Sequence, residues 1–173
     1  MLCKVKIILY FCTIMSSQSK KSEEIVRQYA EGLRTLDLSK IAFILAPEFK
    51  FTYRLAYILS GHGLTTDVRY IGHMYRTFYE MKNEGVTEIK TGFCELEHEG
   101  AKFLSIKLFP PHDRRILFPM DEQVFSRGMA PSPEGEAILF AKAKEGFLHK
   151  IECYNGFDQF LGYRRGKILS ESL

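Results

Sequence analysis

Few side chains in this sequence have the type and spacing that covalent chemistry demands. Cys153 and His149 stand four apart in a stretch that alternates like a strand. They share a face, but an extended chain holds them about 13 Å apart, too far for a thiol–imidazole pair. Ser105 and Ser126 lack the strand–turn–helix elbow of a nucleophilic serine, and no His–Asp pairing can be read around them. Cys3, Cys12, Cys94 and Cys153 form no close pair with a metal or redox spacing. Cys94 and Cys153 fall in strand-like runs and read as small core residues. His62 lies between two glycines in SGHGLTT, with no second histidine at a ligand spacing. No phosphate-cradling glycine motif follows a strand. Arg164, Arg165 and Lys167 make a short basic run that reads as a solvated tail. Neither a cofactor nor a metal is expected.

The elements that must position any site begin with Ser22 to Tyr57. Ile25, Val26, Tyr29, Leu33 and Leu36 recur at three and four residues, the apolar face of a helix. Ser22 is the expected N-cap, with Glu23 and Glu24 in the first turn. Asp37 breaks the helix and caps a second one over Leu38 to Leu45, and Pro47 stops that. Phe49, Phe51 and Tyr53 then alternate with polar residues as a strand. A third helix runs from about Asp67 to Asn83, ended by Gly85, with Val68, Ile71, Met74 or Tyr75, Phe78 and Met81 as its stripe. Tyr75 and Tyr79 sit at its border, as packing residues or with a hydroxyl in a cavity.

From Val86 the period becomes two. Val86 to Lys90 and Phe93 to His98 read as strand with a bulge at Gly92. Glu99-Gly100 is a hairpin turn into Ala101–Phe109, which carries Leu104, Ile106 and Leu108 on one face and Phe103 and Phe109 on the other. Arg114 to Phe125 is a further strand, followed by a polar loop over 126–136. Ala137–Lys144 and Phe147–Tyr154 form a hairpin about Glu145-Gly146. Beyond Asn155 an ordered start containing Phe157, Phe160 and Leu161 is expected to cover an edge, followed by a loose basic end.

The totals agree with one domain. The 173 residues, 46% of them hydrophobic, can bury one sizeable core, and fourteen Phe, nine Tyr and no Trp give it an aromatic interior. The formal net charge of +3 is mild and scattered, so no nucleic-acid surface is expected. Residues 4–15 have the outline of a short secretory core, yet the stretch is too short to span a bilayer and no small-x-small cleavage site follows it. An upstream extension before Met15, a signal peptide and an extra edge strand all remain open readings of it. The division expected is a leader over 1–21, one domain over 22–157 and a basic tail over 158–173. A reduced, cytoplasmic protein is expected, with secretion left open by residues 4–15.

Three helices and several antiparallel strands make an α+β domain whose curled sheet wraps the long helix and leaves a mouth at one end. The phrase VRQYAEGLRTLDLSKIAFILAPEF resembles the opening helices of the nuclear-transport-factor-2-like, or cystatin-like cone, superfamily, over roughly Ser22 to Phe157. The resemblance implies three N-terminal helices packed in a strongly curved, mostly antiparallel sheet. Its nearest functional parallel is the SnoaL- and ketosteroid-isomerase-like pocket proteins. Those isomerases join a carboxylate base to an oxyanion hole made of a Tyr and a neutral Asp. Tyr29 stands where their oxyanion tyrosine stands, eight residues before Asp37. Asp121, in FPMDEQVF, resembles their P-x-D strand motif, including the following Phe125. Tyr53 occupies the position of their carboxylate, and a phenol of reference pKa ~10 is a poor proton shuttle.

The resemblance therefore implies a cofactor-free pocket protein for a small hydrophobic or aromatic ligand. It would act as an isomerase or dehydratase, if at all, through Tyr29, Asp121 and Tyr53. The alternative is a non-catalytic interaction module, a homodimer through an outer sheet face supported by the 101–109 strand and by Ile138, Phe140, Phe147 and Ile151. Tyr29 belongs to the helical core stripe in either case, and Asp121 beside Glu122 and Pro119 reads equally well as a surface carboxylate.

Overall fold

The computed structural model describes residues 20–53, 65–109, 136–154, 156, 158, 160–161 and 167–172. Helix α1 covers 20–34, followed by α2 (Leu38–Ala42), β1 (Leu45–Tyr53), β2 (Thr65–Thr66), α3 (Asp67–Asn83), β3 (Thr91–His98), β4 (Ala101–Leu108), β5 (Ala137–Lys144), β6 (Phe147–Tyr154) and β7 (Lys167–Ser172). The strands form one sheet in the order β2-β1-β6-β5-β4-β3-β7. β1 runs parallel to β6 and the other described pairs are antiparallel. This is the expected α+β architecture. The strand expected over 114–125 and the loops at 54–64 and 126–135 lie outside the described residues. Among the described residues no helix is long and apolar enough to cross a membrane.

The helices lie on one face of the sheet. Val26, Tyr29, Leu33 and Leu36 of α1, with Tyr70, Met74, Phe78 and Met81 of α3, pack onto Phe49, Phe51, Ile106, Leu108, Leu139, Leu148, Ile151 and Cys153. The opposite face is also closed. There Cys94, Leu96, Phe103, Ile138, Phe140 and Tyr154 pack beneath Phe160 and Leu161. Burial on both faces explains why β5 reads AILFAKAK, an unbroken apolar run at its start, instead of a clean alternation.

Several local expectations are corrected. Ser22 lies inside α1 and does not cap it; its hydroxyl donates to the Ala143 carbonyl at 3.2 Å, tying the helix to β5. Pro47 does not stop a helix but sits within β1, where the pairing to β6 slips between Leu45 and Lys50, a position that tolerates a missing donor. Asp37 does cap α2, accepting from the Ser39 amide at 3.0 Å. Residues 86–90 are not strand; the Ile89 amide instead donates to the Arg34 carbonyl at the end of α1. Gly92 keeps ordinary register opposite Lys107, so no bulge falls there. The C-terminal end, expected to be loose, supplies β7 and pairs with β3. Both hairpin turns form as expected, with positive φ at Glu99, Gly100, Glu145 and Gly146.

α3 ends in a Schellman turn. The Val86 amide reaches the Met81 carbonyl, the Gly85 amide reaches Lys82, and Gly85 has φ +86° with open space around its α-carbon. Only the backbone angle therefore opposes a side chain. Gly85→Ala should cost about 1 kcal/mol in urea unfolding with an unchanged m-value.

Candidate functional site

At the centre of the helix-side core two tyrosines meet. α1 directs Tyr29 inward on its apolar stripe, and α3 directs Tyr70 to meet it; the two hydroxyls hydrogen-bond each other. Tyr29 is 1% exposed and Tyr70 0%. Phe49 and Phe51 of β1 hold Tyr70 between them, with ring centroids 5.1 and 5.5 Å away, and the Tyr29 ring lies 6.5 Å from it. Two hydroxyls carry two hydrogens, and the bond between them uses one. Among the described residues the second hydrogen has no acceptor. A buried donor in that condition is costly unless something receives it.

Both phenols are held neutral. Desolvation by burial raises Tyr29 well above the ordinary phenol value, and Tyr70 adds to this through repulsion and the shared hydrogen bond. Burial likewise raises Tyr70, against a smaller lowering by Tyr29. Cys153 lies near both and is itself pushed up by burial. The site therefore offers hydrogen-bond donation in an apolar setting, and among the described residues no group in it is poised to take a proton at neutral pH.

Of the three residues singled out from the sequence, Tyr29 is buried at this centre. Tyr53 ends β1, where its backbone pairs with Cys153; its side chain lies outside the described residues. Asp121 also lies outside them. Tyr70 was missed. It stands four before Met74 and eight before Phe78, the same stripe that was read from Val68 and Ile71, so the periodicity could have shown it. Ser105, set aside as a nucleophile, is fully buried, with no partner for its hydroxyl among the described residues; the same holds for Thr52.

A cavity of about 290 Å³ lies under the first turns of α1, over β3 to β5; neither Tyr29 nor Tyr70 lines it. Val26, Leu104, Ala141 and Ala143 give it apolar walls; Ser22, Glu23, Glu95 and Lys102 give it polar ones. Val26 is the residue one turn before Tyr29 on α1, so the cavity and the tyrosine pair follow one another along one helix face. Among the described residues no group of three His, Cys, Asp or Glu side chains is placed to hold a metal.

Two outcomes are expected. Tyr29→Phe strands the Tyr70 hydroxyl and should cost about 1–3 kcal/mol, whereas Tyr29→Phe with Tyr70→Phe should cost less than the sum of the single changes in urea denaturation. The raised phenol values add stability that is complete below the unfolded value near ~10 and is lost as pH rises above it. An absorbance titration of wild type against Tyr29→Phe and Tyr70→Phe should then show these two phenols ionising only as the protein unfolds in alkali.

No family model and no curated protein matches the sequence. Among solved structures, a protein of unknown function with cystatin-like fold from Xanthomonas campestris is similar at TM-score 0.50 and 13% identity, covering 79% of this chain and 91% of that one. An LEH-like epoxide hydrolase from M. tuberculosis superposes at 0.46 and 13% identity, over 83% and 85%. An NTF2-like protein from Anabaena variabilis does so at 0.45 and 13%, over 81% and 90%. With its helices laid on one face of an open, mostly antiparallel sheet, the chain has a cystatin-like fold.

Proposed function

We propose that the chain binds a small apolar molecule through an oxygen that accepts the spare hydrogen of the Tyr29–Tyr70 pair. The observation that supports this is the pair itself: among the described residues, two buried phenols satisfy only one of their two donors between them. The cavity at Val26, one turn before Tyr29 on α1, is the place proposed for the ligand. At about 290 Å³ it falls at the low end of the ~300–1,000 Å³ typical of ligand sites, which favours a compact molecule with an apolar body and a carbonyl or phenolic oxygen. Asp121, by its resemblance to the neutral aspartic acid of the isomerases, is proposed as a second donor to the same oxygen. Tyr53 in the place of a carboxylate base points to binding and polarisation without the proton shuttling of an isomerase or dehydratase.

The alternative, a homodimer through the outer sheet face, has lost much of its support. Ile138 and Phe140 of that face are fully buried under Phe160 of the same chain and Ile151 belongs to the helix side, which leaves Phe147, 44% exposed, as the accessible member of the set.

A fluorescence titration with naphthol, an apolar phenol, tests the proposal. Wild type should bind saturably, Tyr70→Phe about three- to tenfold more weakly, and Val26→Trp, which fills the cavity, not at all. Equal affinity in all three proteins, or no binding by wild type, would sink it.

A further inference from the structure

The outward face of α3 has a composition that its surroundings do not explain. Arg69, Gly72, Tyr75, Arg76, Tyr79, Lys82 and Asn83 are all exposed, Tyr75 at 65% and Tyr79 at 61%. At 100° per residue they fall within one arc of about 140°, with Gly72 and Tyr79 along its middle, the two arginines on one flank, and Tyr75 and Lys82 on the other. No carboxylate lies within that arc. Its three cations equal the formal excess of the whole chain, +3, so the mild net charge conceals one concentrated face. Neither Arg69 nor Arg76 makes an ion pair among the described residues, and Lys82 is felt only at a distance, by Asp37.

Gly72 adds an independent sign. It sits in the middle of a seventeen-residue helix, where glycine costs about 0.5–1 kcal/mol relative to alanine. Among the described residues a Cβ there would meet nothing within 4 Å, and its φ is not positive, so neither their packing nor the backbone calls for it. It is bordered by Arg69, Tyr75 and Arg76 at three and four residues. Its missing side chain leaves a flat floor between a ring and two guanidinium groups.

We propose that this face of α3 docks single-stranded nucleic acid. The rings of Tyr75 and Tyr79, one turn or about 6 Å apart along the axis, stack on bases. Arg69, Arg76 and Lys82 neutralise phosphates, and Gly72 gives a base or ribose room to lie against the helix backbone. The charge decides against other occupants. A second copy would set three cations against three, and among the described side chains of the arc a bilayer would find no aliphatic one to insert. An acidic peptide satisfies the cations but leaves two exposed rings and the glycine without a role.

Fluorescence anisotropy with a labelled single-stranded RNA of about 12 nucleotides tests this. Wild type should bind saturably at low salt, with log K falling against log salt at a slope of about −1.5 to −2 for two or three phosphates. Arg69→Glu with Arg76→Glu should abolish binding, and Tyr75→Ala with Tyr79→Ala should weaken it about tenfold or more with little change in slope. Gly72→Leu is the sharpest variant. It should raise thermal stability, through helix propensity, while lowering affinity about tenfold; unchanged affinity would assign Gly72 no role and overturn the proposal. Absent binding by wild type, equal binding by the tyrosine variant, or polyglutamate competing as well as RNA would each overturn it too.

Discussion

The placement of everything after α1 depends on one reversal of the backbone. Leu36, directly before Asp37, takes a left-handed conformation, φ 53°. A non-glycine residue pays about 1–2 kcal/mol for that conformation. Leu36 is also 1% exposed, and burying such a side chain contributes about 1.5–3 kcal/mol, so the core holds the strained turn in place. The Asp37 amide then closes back on the Gly32 carbonyl at 2.9 Å. Gly32 completes the corner, because a Cβ there would stand 2.6 Å from Ile41 Cγ1. α2 thus crosses against bare backbone, and β1 leaves at the angle that brings Phe49 and Phe51 onto Tyr70.

That corner fixes which side of the sheet is left for function. The outer face is committed to the chain's own packing. Phe103, Phe140, Tyr154 and Phe160 stack there, and Glu152, fully buried, is held by Lys150 at 2.6 Å and by the Tyr154 hydroxyl at 2.7 Å. A carboxylate so enclosed relies on its partners to remain charged, which makes that face a poor site for exchange with solvent. The helix side keeps a cavity. Arg27 lies over the Phe93 ring at 4.7 Å, and Ser22 ties α1 to β5. The first turns of α1 are in this way held over β3 to β5 with space beneath.

Much of this fold was legible because its signals are local. The stripe of α1, the Asp37 cap, the limits of α3 and both two-residue hairpin turns follow from spacing or from residues that tolerate positive φ. Where the sequence misled, a tertiary contact had overruled a local rule. Pro47 looks like a stop until the β1–β6 pairing supplies a slip that accommodates it. Ser22 looks like a cap until Ala143 offers it an acceptor. The tail looks loose because β7 has no partner near it in sequence; Glu97 and Lys167 are 70 positions apart. Tyr29 was readable as core, whereas its meeting with Tyr70 needed two helices brought together across β1. The cationic face of α3 was hidden for the opposite reason, since its charges are dispersed along the chain and only the helical period collects them.

The parallel pairing of β1 with β6 has a consequence for how the molecule is made. Phe51 lies opposite Ile151, one hundred residues later in the chain. At the ~5–20 residues per second of synthesis, β1 leaves the ribosome about 5–20 seconds before its central neighbour exists. Through that interval the β6-facing edge of an apolar strand has no partner, while β2 and α3, made soon after it, join α1 and α2 around it. The two helices that precede it in sequence are therefore its first shelter, and the sheet becomes continuous only when β6 enters between β1 and β5.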